Sequence, residues 1–206
     1  MFTGIITDTG TITAIEEMTG GKRITLDCGY DMSAIPLGAS IACDGACMTV
    51  VQRSETRGQR SEFVIEVSPE SLACTTLAKW KVGSKVNLER PVAIGGEFGG
   101  HFVTGHVDAV GTLESIKAFD EFTALAFSYP QEFGIYLAEK GSVAINGVSL
   151  TVNAVTRKDH LFNVMIIPHT LVQTNLGTLK AGGKVNLEAD LIARYLLAQQ
   201  QEKEIV

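Results

Sequence analysis

Stretches in which polar and apolar residues alternate run through the first half of the chain. Such alternation is typical of β-strands with one buried face, because successive side chains of a strand point to opposite sides. Glycine pairs and an Asp-Gly pair separate the stretches and favour tight turns. The strands predicted from this pattern are residues 10–15, 23–28, 40–43, 47–51, 62–67 and 86–89.

The connections between these strands are short. Residues 32–35 and 70–77 are predicted to form short helices, and the polar residues 53–59 an exposed hairpin loop. Six short strands with little helix in about 90 residues favour a small closed barrel. A β-sandwich is the main competing architecture.

The first half of the chain returns, in the same order, in the second half. Residues 40–50 read S-I-A-C-D-G-A-C-M-T-V, and residues 142–152 read S-V-A-I-N-G-V-S-L-T-V. Two further blocks match in step with these, 4–11 with 105–112 and 63–89 with 162–188. Because the matches run through strands as well as turns, the chain is best described as two homologous halves and a tail.

The second half repeats the predicted order of strands and adds two helices. Its predicted strands are 111–116, 123–129, two within 142–152, 162–167 and 184–187. Helices are predicted at 131–140 and, after an acidic cap candidate, at 190–200. Since the first half has no counterpart of the last helix, we expect it to associate subunits, the alternative being that it packs on its own barrel.

A glycine-rich linker separates the two halves. Residues 91–100 contain four glycines and one proline, which is the composition of a domain boundary. The predicted domains are therefore residues 1–97 and 98–188, followed by a C-terminal helical segment at 189–206.

The composition of the chain mainly excludes classes of protein. The 206 residues are 45% hydrophobic and 19% charged with a formal net charge of −6, which fits an ordered globular protein without a basic patch for nucleic acid. Residues 1–8 lack the basic region of a signal peptide, and no stretch has the roughly 18 apolar residues of a membrane span. We therefore expect a cytoplasmic protein that binds neither nucleic acid nor membranes.

The cysteines favour free thiols over a disulfide or metal site. All four, Cys28, Cys43, Cys47 and Cys74, lie in the first half, whereas a disulfide framework would recur in both repeats. Zinc sites need paired ligands with a second pair close by. Cys43 and Cys47 have no such second pair near in sequence, so no metal site is expected.

Two positions in the repeat carry candidate chemistry. Cys47 and Ser149 occupy the same slot, and each is a candidate nucleophile, although a free cysteine is often only a small buried core residue. Residues 99–108 place His101 and His106 among glycines, where backbone can approach a ligand and histidine can transfer protons. The first half has the chain's N-terminus at this point, and such asymmetry is expected when two copies of one ligand play different roles.

Four stretches together resemble the riboflavin synthase family of the alpha-chain type. They are residues 1–6, 44–50, 99–107 and 146–152, and the similarity covers residues 1 to about 190. The resemblance implies an all-β fold of two homologous six-stranded Greek-key barrels in tandem, followed by a C-terminal α-helix. It also implies a homotrimer held largely by these helices, with each active site between the first barrel of one subunit and the second barrel of a neighbour.

The same resemblance implies a transferase that dismutates two molecules of 6,7-dimethyl-8-ribityllumazine, one bound by each barrel. One molecule donates a four-carbon unit to the other, which gives riboflavin and 5-amino-6-ribitylamino-uracil in the last step of riboflavin biosynthesis. No cofactor or metal is expected. Lumazine synthase is a further partner that the resemblance suggests.

Site residues are carried over from the family position by position. Those with implied catalytic roles are His101, Cys47, Ser149, Ser40 and Thr151. Those implied to bind substrate in the first half are Gly4, Ile5, Ile6, Cys47, Met48, Thr49, Glu66, Val67, Ser68, Pro69, Glu70 and Ser71. Those in the second half are Gly100, His101, Phe102, Lys140, Ser149, Leu150, Thr151, Met165, Ile166, Ile167, Pro168, His169 and Thr170.

The implied chemistry assigns roles to a few of these residues. The C7 methyl group of one lumazine must lose a proton, and His101 is the candidate to carry it. A nucleophile must add at C7 of the other lumazine, for which Cys47, Ser149 and an activated water are open alternatives. His169 stands where the first repeat has Glu70, so we expect ribityl recognition to differ in the second barrel.

Two other classes of protein compete with this interpretation. Lumazine proteins of the same fold bind lumazine or flavin without converting it, but their second barrel is degenerate, whereas both copies here keep the Asp/Asn-Gly turn and the Thr-Val pair. Flavin-binding barrels of reductases need a nicotinamide domain with a Gly-rich strand-to-helix turn. Residues 95–100 open no predicted helix and do not supply one.

Overall fold

The protein folds into two closed six-stranded antiparallel barrels in tandem, followed by a helix. The computed structural model describes residues 1–54 and 61–203, of which the last three are described by their backbone alone. The predicted all-β fold of two homologous barrels and a C-terminal helix is confirmed, and the sandwich alternative is wrong. The hairpin loop predicted for residues 53–59 falls largely outside the described residues.

Both barrels have the same strand order. The first contains β1 (Asp8–Met18), β2 (Gly21–Cys28), β3 (Ser40–Cys43), β4 (Ala46–Ser54), β5 (Ser61–Val67) and β6 (Lys85–Glu89). The second contains β7 (Ala109–Phe119), β8 (Phe122–Ser128), β9 (Ser142–Ile145), β10 (Val148–Thr156), β11 (Leu161–Ile166) and β12 (Lys184–Ala189). Around the first barrel the order is β1-β2-β5-β4-β3-β6, and the second follows as β7-β8-β11-β10-β9-β12. Because β6 returns to lie beside β3 after the run β3, β4 and β5, each barrel is a Greek key.

The apolar face of each strand fills the interior of its own barrel. Ile12, Leu26 and Phe63 are fully buried in the first barrel, where Leu26 and Phe63 pair across β2 and β5. In the second barrel Phe127 and Phe162 stack with ring centroids 5.6 Å apart. Barrels of so few strands are filled by their own side chains. A ligand site therefore has to lie outside these cores.

Three α-helices follow the strands. They are α1 (Pro69–Cys74) after β5, α2 (Pro168–Gln173) at the equivalent place after β11, and α3 (Leu191–Lys203) after β12. Asp190 accepts the backbone N–H of Ile192 at 2.9 Å and caps α3, as predicted. Arg194 pairs with Asp108 at 2.6 Å, which ties α3 to the second barrel, while the side chain of Tyr195 stays 65% exposed. Within the described residues, every helix is too short or too polar to span a membrane.

The helix predicted for residues 131–140 is wrong in type and length. A 3-10 helix covers Gln131–Tyr136, and Leu137 is already extended. The guanidinium of Arg157 donates to the carbonyl oxygens of Gly134 and Leu137 at 2.7 and 3.0 Å. The carbonyl oxygen of Gly134 also accepts the backbone N–H of Leu137 at 3.3 Å, so Arg157 caps the end of the 3-10 helix where the chain becomes extended.

The two barrels exchange their entry segments, which we define as residues 1–7 and 101–108. Phe2 and Val103 form an antiparallel bridge between the segments, with N···O distances of 2.8 and 3.1 Å. Beyond this bridge the carbonyl oxygen of Gly4 accepts the N–H of Ser149, and that of Gly105 accepts the N–H of Cys47, both at 2.8 Å. Each barrel is therefore completed at this end by the segment that leads into the other barrel.

The turns between β3 and β4 and between β9 and β10 contact each other where the two barrels meet. Asp44-Gly45 and Asn146-Gly147 all have positive φ, as the Asp-Gly and Asn-Gly pairs predict for two-residue turns. An added Cβ on Gly45 would lie 2.7 Å from the backbone nitrogen of Gly147, so the turns touch through their glycines. The predicted tight turns are confirmed, and they form part of the contact between the barrels.

The two turns differ in one residue, since the first has Asp44 where the second has Asn146, and the hydrogen bonds around Asp44 explain the difference. Asp44 accepts hydrogen bonds from the backbone of Asn87 and the side chain of Asn175, each at 2.8 Å, and from the side chain of Trp80. The second half has leucine at position 179 where the first has Trp80. An indole N–H needs an acceptor, so a carboxylate suits the first turn, whereas Asn146 can also donate.

Replacing Asp44 by asparagine is expected to remove part of the pH dependence of stability. Burial raises the pKa of Asp44 to about 7, although its three donors oppose the shift. The folded protein then binds more protons than the unfolded chain between the ordinary pKa of aspartate and pH 7, so the free energy of unfolding falls as pH rises through this window. Asparagine does not titrate. Denaturant unfolding should give a stability difference, wild type minus Asp44→Asn, that is larger at pH 5 than at pH 8 by about 2–3 kcal/mol.

The opposite trend, or a difference that does not change with pH, would contradict the burial argument. Asn146→Ala is the matched comparison, since it alters the equivalent turn without removing a titrating group. Its effect on stability should be the same at both pH values.

Candidate active site

Two buried glutamates hold the entry segments in place. Glu89, at the end of β6, accepts the backbone N–H groups of Thr3 and Gly4 at 2.7 and 3.0 Å. Glu188, in β12, accepts those of Thr104 and Gly105 at 2.6 and 3.0 Å. Burial raises the pKa of both carboxyl groups, while these donors oppose the shift. The entry segments are thus fixed to their own barrels by side chains and to the opposite barrels by backbone.

The exchange of entry segments creates two matching pockets, one on each barrel. The Ser149 pocket has a volume of about 120 Å³ and is lined by Gly4, Ile5, Ile6, Val148, Ser149, His169, Thr170, Gln173 and Thr174. The Cys47 pocket has a volume of about 260 Å³ and is lined by Ala46, Cys47, Met48, Glu70, Ser71, Cys74, Thr75, Gly105, His106 and Val107. Each contains a slot residue of the repeat, the first turn of α1 or α2, and an entry segment from the other half.

His101, which does not itself line the Ser149 pocket, contacts Ser149. The Nδ1 atom of His101 lies 2.7 Å from the Oγ of Ser149, and the imidazole is only 7% exposed. Burial lowers the pKa of His101 below its ordinary value, an effect that the negative charge of Asp190 partly opposes. The ring is thus neutral at neutral pH, and a proton can pass between the hydroxyl and the ring.

The second ring nitrogen of His101 is also buried. Nε2 has no hydrogen-bond partner among the residues that the structure describes. Buried polar atoms are nearly always paired, so the unpaired imidazole nitrogen is open to a hydrogen bond or a proton from a bound molecule. Proton transfer is the ordinary chemistry of such a nitrogen.

Gly100 is what allows His101 to reach this position. The backbone N–H of His101 donates to the carbonyl oxygen of Thr3 at 3.0 Å. A Cβ on Gly100 would lie 1.9 Å from that oxygen and 3.0 Å from the Cβ of Ser149. Only glycine therefore lets the entry segments run so close together.

The Cys47 pocket has a thiol where the other pocket has a hydroxyl. Among the described residues, no histidine forms a hydrogen bond with the Cys47 side chain as His101 does with Ser149. Cys47 is partly exposed, so the alternative of a fully buried core cysteine does not apply. The Sγ of Cys74 lies 3.1 Å from Glu70 at the edge of the same pocket. The two pockets are thus built from equivalent elements but contain different chemical groups.

The structure divides the sequence-predicted site residues into several groups. Gly4, Ile5 and Ile6 were grouped with Cys47 as first-half residues, yet they line the Ser149 pocket, because the entry segments cross over. The predicted residues that line neither pocket are Ser40, Thr49, Glu66, Val67, Ser68, Pro69, Gly100, His101, Phe102, Lys140, Leu150, Thr151, Met165, Ile166, Ile167 and Pro168. Of these, Gly100 and His101 contact Ser149, as described above.

Some of the remaining predicted residues have structural partners. Glu66 pairs with Arg23 at 2.6 Å on the outer face of the first barrel. Ser68 caps α1 through the backbone N–H of Ser71, and Ile166 is buried in the core of the second barrel. Ser40 pairs with Thr49 across β3 and β4, and Thr151 pairs with Ser142 at the equivalent place across β10 and β9. Their implied roles in binding or catalysis stay predictions.

The predicted site residues leave out several residues that line the pockets. They are Ala46, Cys74, Thr75, Gly105 and Val107 in the Cys47 pocket, and Val148, Gln173 and Thr174 in the Ser149 pocket. His106, noted in the sequence only for its ability to transfer protons, also lines the Cys47 pocket. The repeat held the signal for most of them, because residues 105–107 are the counterparts of residues 4–6. Applying the prediction symmetrically to both halves would have included that segment.

Two larger clefts lie away from these residues. One, of about 530 Å³, runs along β4 and β5 beside Leu37 and Arg53, and the other, of about 680 Å³, lies between the barrels beside Asn146 and Asn175. Neither is lined by His101, Cys47 or Ser149. Among the described residues, no group of three or more His, Cys, Asp or Glu side chains has the arrangement of a metal site.

Comparisons with known proteins agree with the repeat. A family model described as the lumazine binding domain matches residues 3–91 and again residues 104–190. Riboflavin synthase of Brucella abortus (strain 2308) is 45% identical over 206 residues, covering 98% of this chain and 100% of that protein. Riboflavin synthase of Photobacterium phosphoreum is 40% identical over 197 residues, covering 95% of this chain and 87% of that protein.

Solved structures show the same architecture. The crystal structure of LumP complexed with riboflavin has a TM-score of 0.79 and 26% sequence identity, and covers 92% of this chain and 99% of that chain. LumP complexed with 6,7-dimethyl-8-(1'-D-ribityl) lumazine gives a TM-score of 0.76 at 25% identity with the same coverage. The tandem-barrel architecture of this chain is thus shared with LumP.

Proposed function

The chain belongs to the riboflavin synthase family and is an enzyme of the transferase class, and we propose that it dismutates 6,7-dimethyl-8-ribityllumazine. Two molecules react by transfer of a four-carbon unit, which gives riboflavin and 5-amino-6-ribitylamino-uracil. The observation that carries this proposal is the pair of matching pockets with unlike groups: Ser149, hydrogen-bonded to His101, lines one, and Cys47 lines the other. Two lumazine molecules then bind in pockets of similar backbone structure but contact different reactive side chains.

His101 is proposed to carry the proton of the reacting methyl group. A C–H bond of the C7 methyl breaks, its electron pair delocalises into the lumazine ring, and the proton passes to the imidazole. Burial keeps the ring neutral and so able to accept a proton. Ser149, 2.7 Å from Nδ1, then relays the proton or is itself activated for addition.

The backbone beside the slot residues is proposed to hold the ring systems. Each slot residue uses its backbone N–H to fix an entry segment, so the pocket wall is rigid where the ring has to lie. Polar side chains at the start of α1 and α2, such as Ser71 and Thr170, are placed to meet ribityl hydroxyl groups. Holding two rings face to face accounts for a large part of the rate enhancement that we propose.

We propose that a neighbouring subunit completes each pocket. Volumes of about 120 and 260 Å³ fall below the range of about 300–1,000 Å³ that is usual for small-molecule pockets. Apolar candidate residues are exposed in the single chain, among them Ile5, Phe102 and Ile167 at 45–47%. A homotrimer held largely by α3, with sites between subunits, would cover such surfaces. Sedimentation equilibrium would then give three times the chain mass of 22.0 kDa, and the mass of one chain would contradict the proposal.

Further parts of the proposal rest on the resemblance. We propose residues 1–97 and 98–188 as the two lumazine-binding domains and 189–206 as the association segment. The enzyme is proposed to act in the cytoplasm without a cofactor. Association with lumazine synthase stays a prediction, which co-sedimentation of the two purified proteins would test.

The experiment that tests the function needs only protein and substrate. The purified chain is mixed with 6,7-dimethyl-8-ribityllumazine, and the absorbance and fluorescence of riboflavin are followed. We expect many turnovers per chain and one riboflavin for every two lumazines consumed. Binding without spectral change over hours would overturn the proposal and favour a lumazine-binding protein without catalysis.

A further inference from the structure

The two pockets differ in charge at one equivalent position. Glu70 is the second residue of α1 and lines the Cys47 pocket, while His169 is the second residue of α2 and lines the Ser149 pocket. Both side chains are exposed at the pocket edge. The neighbouring residues are alike, since Ser71 corresponds to Thr170. The exchange of a carboxylate for an imidazole is therefore the main electrostatic difference between the edges.

No other charged residue lining the pockets offsets this difference. Glu70 is the one acidic residue that lines the Cys47 pocket, and none lines the Ser149 pocket, among the described residues. His106, which lines the Cys47 pocket, corresponds to Ile5 in the other. The buried Glu89 and Glu188 stand behind equivalent entry segments and so contribute equally.

We propose that the Ser149 pocket accepts ribityl ligands phosphorylated at the terminal hydroxyl group, such as flavin mononucleotide, and that the Cys47 pocket rejects them. This inference rests on the proposed function, which places a ribityl chain along the start of α1 and α2. A terminal phosphate carries nearly two negative charges at neutral pH and has three acceptor oxygens. Beside Glu70 it meets a like charge, whereas beside His169 it meets a hydrogen-bond donor in a pocket with no acidic lining residue among those described.

The exposed position of both residues makes the phosphate sterically acceptable in either pocket. The discrimination is therefore electrostatic, and its size follows from one like-charge contact in a partly solvated site. We expect an affinity ratio of about tenfold between the pockets for a phosphorylated ligand. Because the proposed reaction needs both pockets filled, a phosphorylated flavin bound in one pocket alone is sufficient to block turnover.

Equilibrium binding of two flavins tests the inference. The full-length protein is titrated separately with riboflavin and with flavin mononucleotide, and bound ligand is measured by equilibrium dialysis. Riboflavin should fill two sites per chain. Flavin mononucleotide should fill one site, with the second at least about tenfold weaker.

Reciprocal variants assign the preference to the named residues. His169→Glu should lower the ratio of flavin mononucleotide to riboflavin affinity about tenfold at the stronger site, and Glu70→His should raise the same ratio at the weaker site. The readout is the ratio of two affinities, so a general weakening of the pocket by either substitution does not change it. Flavin mononucleotide should also inhibit lumazine turnover less in His169→Glu than in the wild type.

The outcomes separate the inference from the proposed function. Two equal sites for flavin mononucleotide, or a ratio unaffected by both substitutions, would overturn the inference while the riboflavin data left the proposed function intact. Failure of the wild-type protein to bind riboflavin at all would instead overturn the proposed function, on which the inference depends.

Discussion

Replacing His101 by alanine is expected to lower the turnover number of lumazine conversion about 100-fold or more, which is the usual contribution of a positioned proton-transfer group. The substitution removes a buried imidazole that lies 2.7 Å from Ser149 and leaves the hydroxyl without its partner. Substrate affinity should change far less than the turnover number, because most pocket contacts come from other elements. Stopped-flow and steady-state fluorescence of riboflavin formation would separate the two quantities.

The pH profile of the wild type provides an independent readout. Burial lowers the pKa of His101, so the neutral, proton-accepting ring should persist to more acidic pH than an ordinary histidine would allow. The turnover number should fall as pH decreases through that lowered pKa, below about 6.5. Asp190→Asn removes the negative charge that opposes the lowering of the His101 pKa. The acidic fall in the turnover number should therefore move to still lower pH.

His101→Gln is the matched control for positioning. Glutamine retains a hydrogen-bonding group for Ser149 but does not transfer a proton at neutral pH. A low rate in both variants supports proton transfer, whereas recovery in the glutamine variant alone would show that His101 only positions Ser149. Rates within fivefold of wild type in both variants would contradict any role in the chemical step.

Replacing Gly105 by alanine is expected to destabilise the protein by about 3 kcal/mol or more and to disrupt the Cys47 pocket. Gly105 has a φ of +83°, and an added Cβ would lie 2.5 Å from the Cβ of Cys47 and 2.9 Å from its nitrogen. Both atoms belong to Cys47 in β4 and are held by the strand backbone, so no flexible side chain can move aside to relieve the clash. Urea unfolding and riboflavin binding would measure the two effects.

Gly38→Ala is the control that separates backbone strain from the steric clash in the loss of stability expected for Gly105→Ala. Gly38 has the same φ of +83° but nothing within 4 Å of an added Cβ. It should therefore show only the strain of a left-handed residue, about 1–2 kcal/mol. An effect of Gly105→Ala no larger than that of Gly38→Ala would contradict the close contact between entry segment and barrel. Gly4→Ala should reproduce the larger effect at the Ser149 pocket, where Ser149 lies 2.6 Å away.

The comparison of the two glycines shows how function depends on the exchange of entry segments. Gly4 and Gly105 look like ordinary turn glycines in the sequence, as does Gly38. Only the fold places the first two against the slot residues of the opposite barrel. A mutation in one half of the chain is therefore expected to damage the pocket of the other half.

The sequence by itself determined the elements and their duplication. Alternation with period two identified the strands, the Asp-Gly and Asn-Gly pairs identified the turns at Asp44 and Asn146, and the repeat required the same order in both halves. These features are local, or they recur as whole blocks, so they can be read without knowing which distant residues touch. The motifs also pointed to the riboflavin synthase family, and the relatives of the chain agree.

One local prediction failed where a distant side chain contributes to the outcome. Residues 131–140 have helical composition, but the helix ends at Tyr136, where Arg157 caps the carbonyl oxygens of Gly134 and Leu137. A distant side chain also distinguishes Asp44 from Asn146, because Trp80 favours an acceptor at the first of them. In each case the contacting residue lies twenty or more residues away in the chain.

Only the tertiary structure decided how the candidate site is assembled. It joined His101 to Ser149, moved residues 4–6 from the Cys47 pocket to the Ser149 pocket, and placed residues 105–107 where residues 4–6 had been expected. The alternation of polar and apolar residues specifies which face of a strand is buried. It does not specify which other segment will pair with the backbone of that strand. Edge pairing is chosen by the geometry of both barrels together, through the bridge between Phe2 and Val103 and the carboxylates of Glu89 and Glu188.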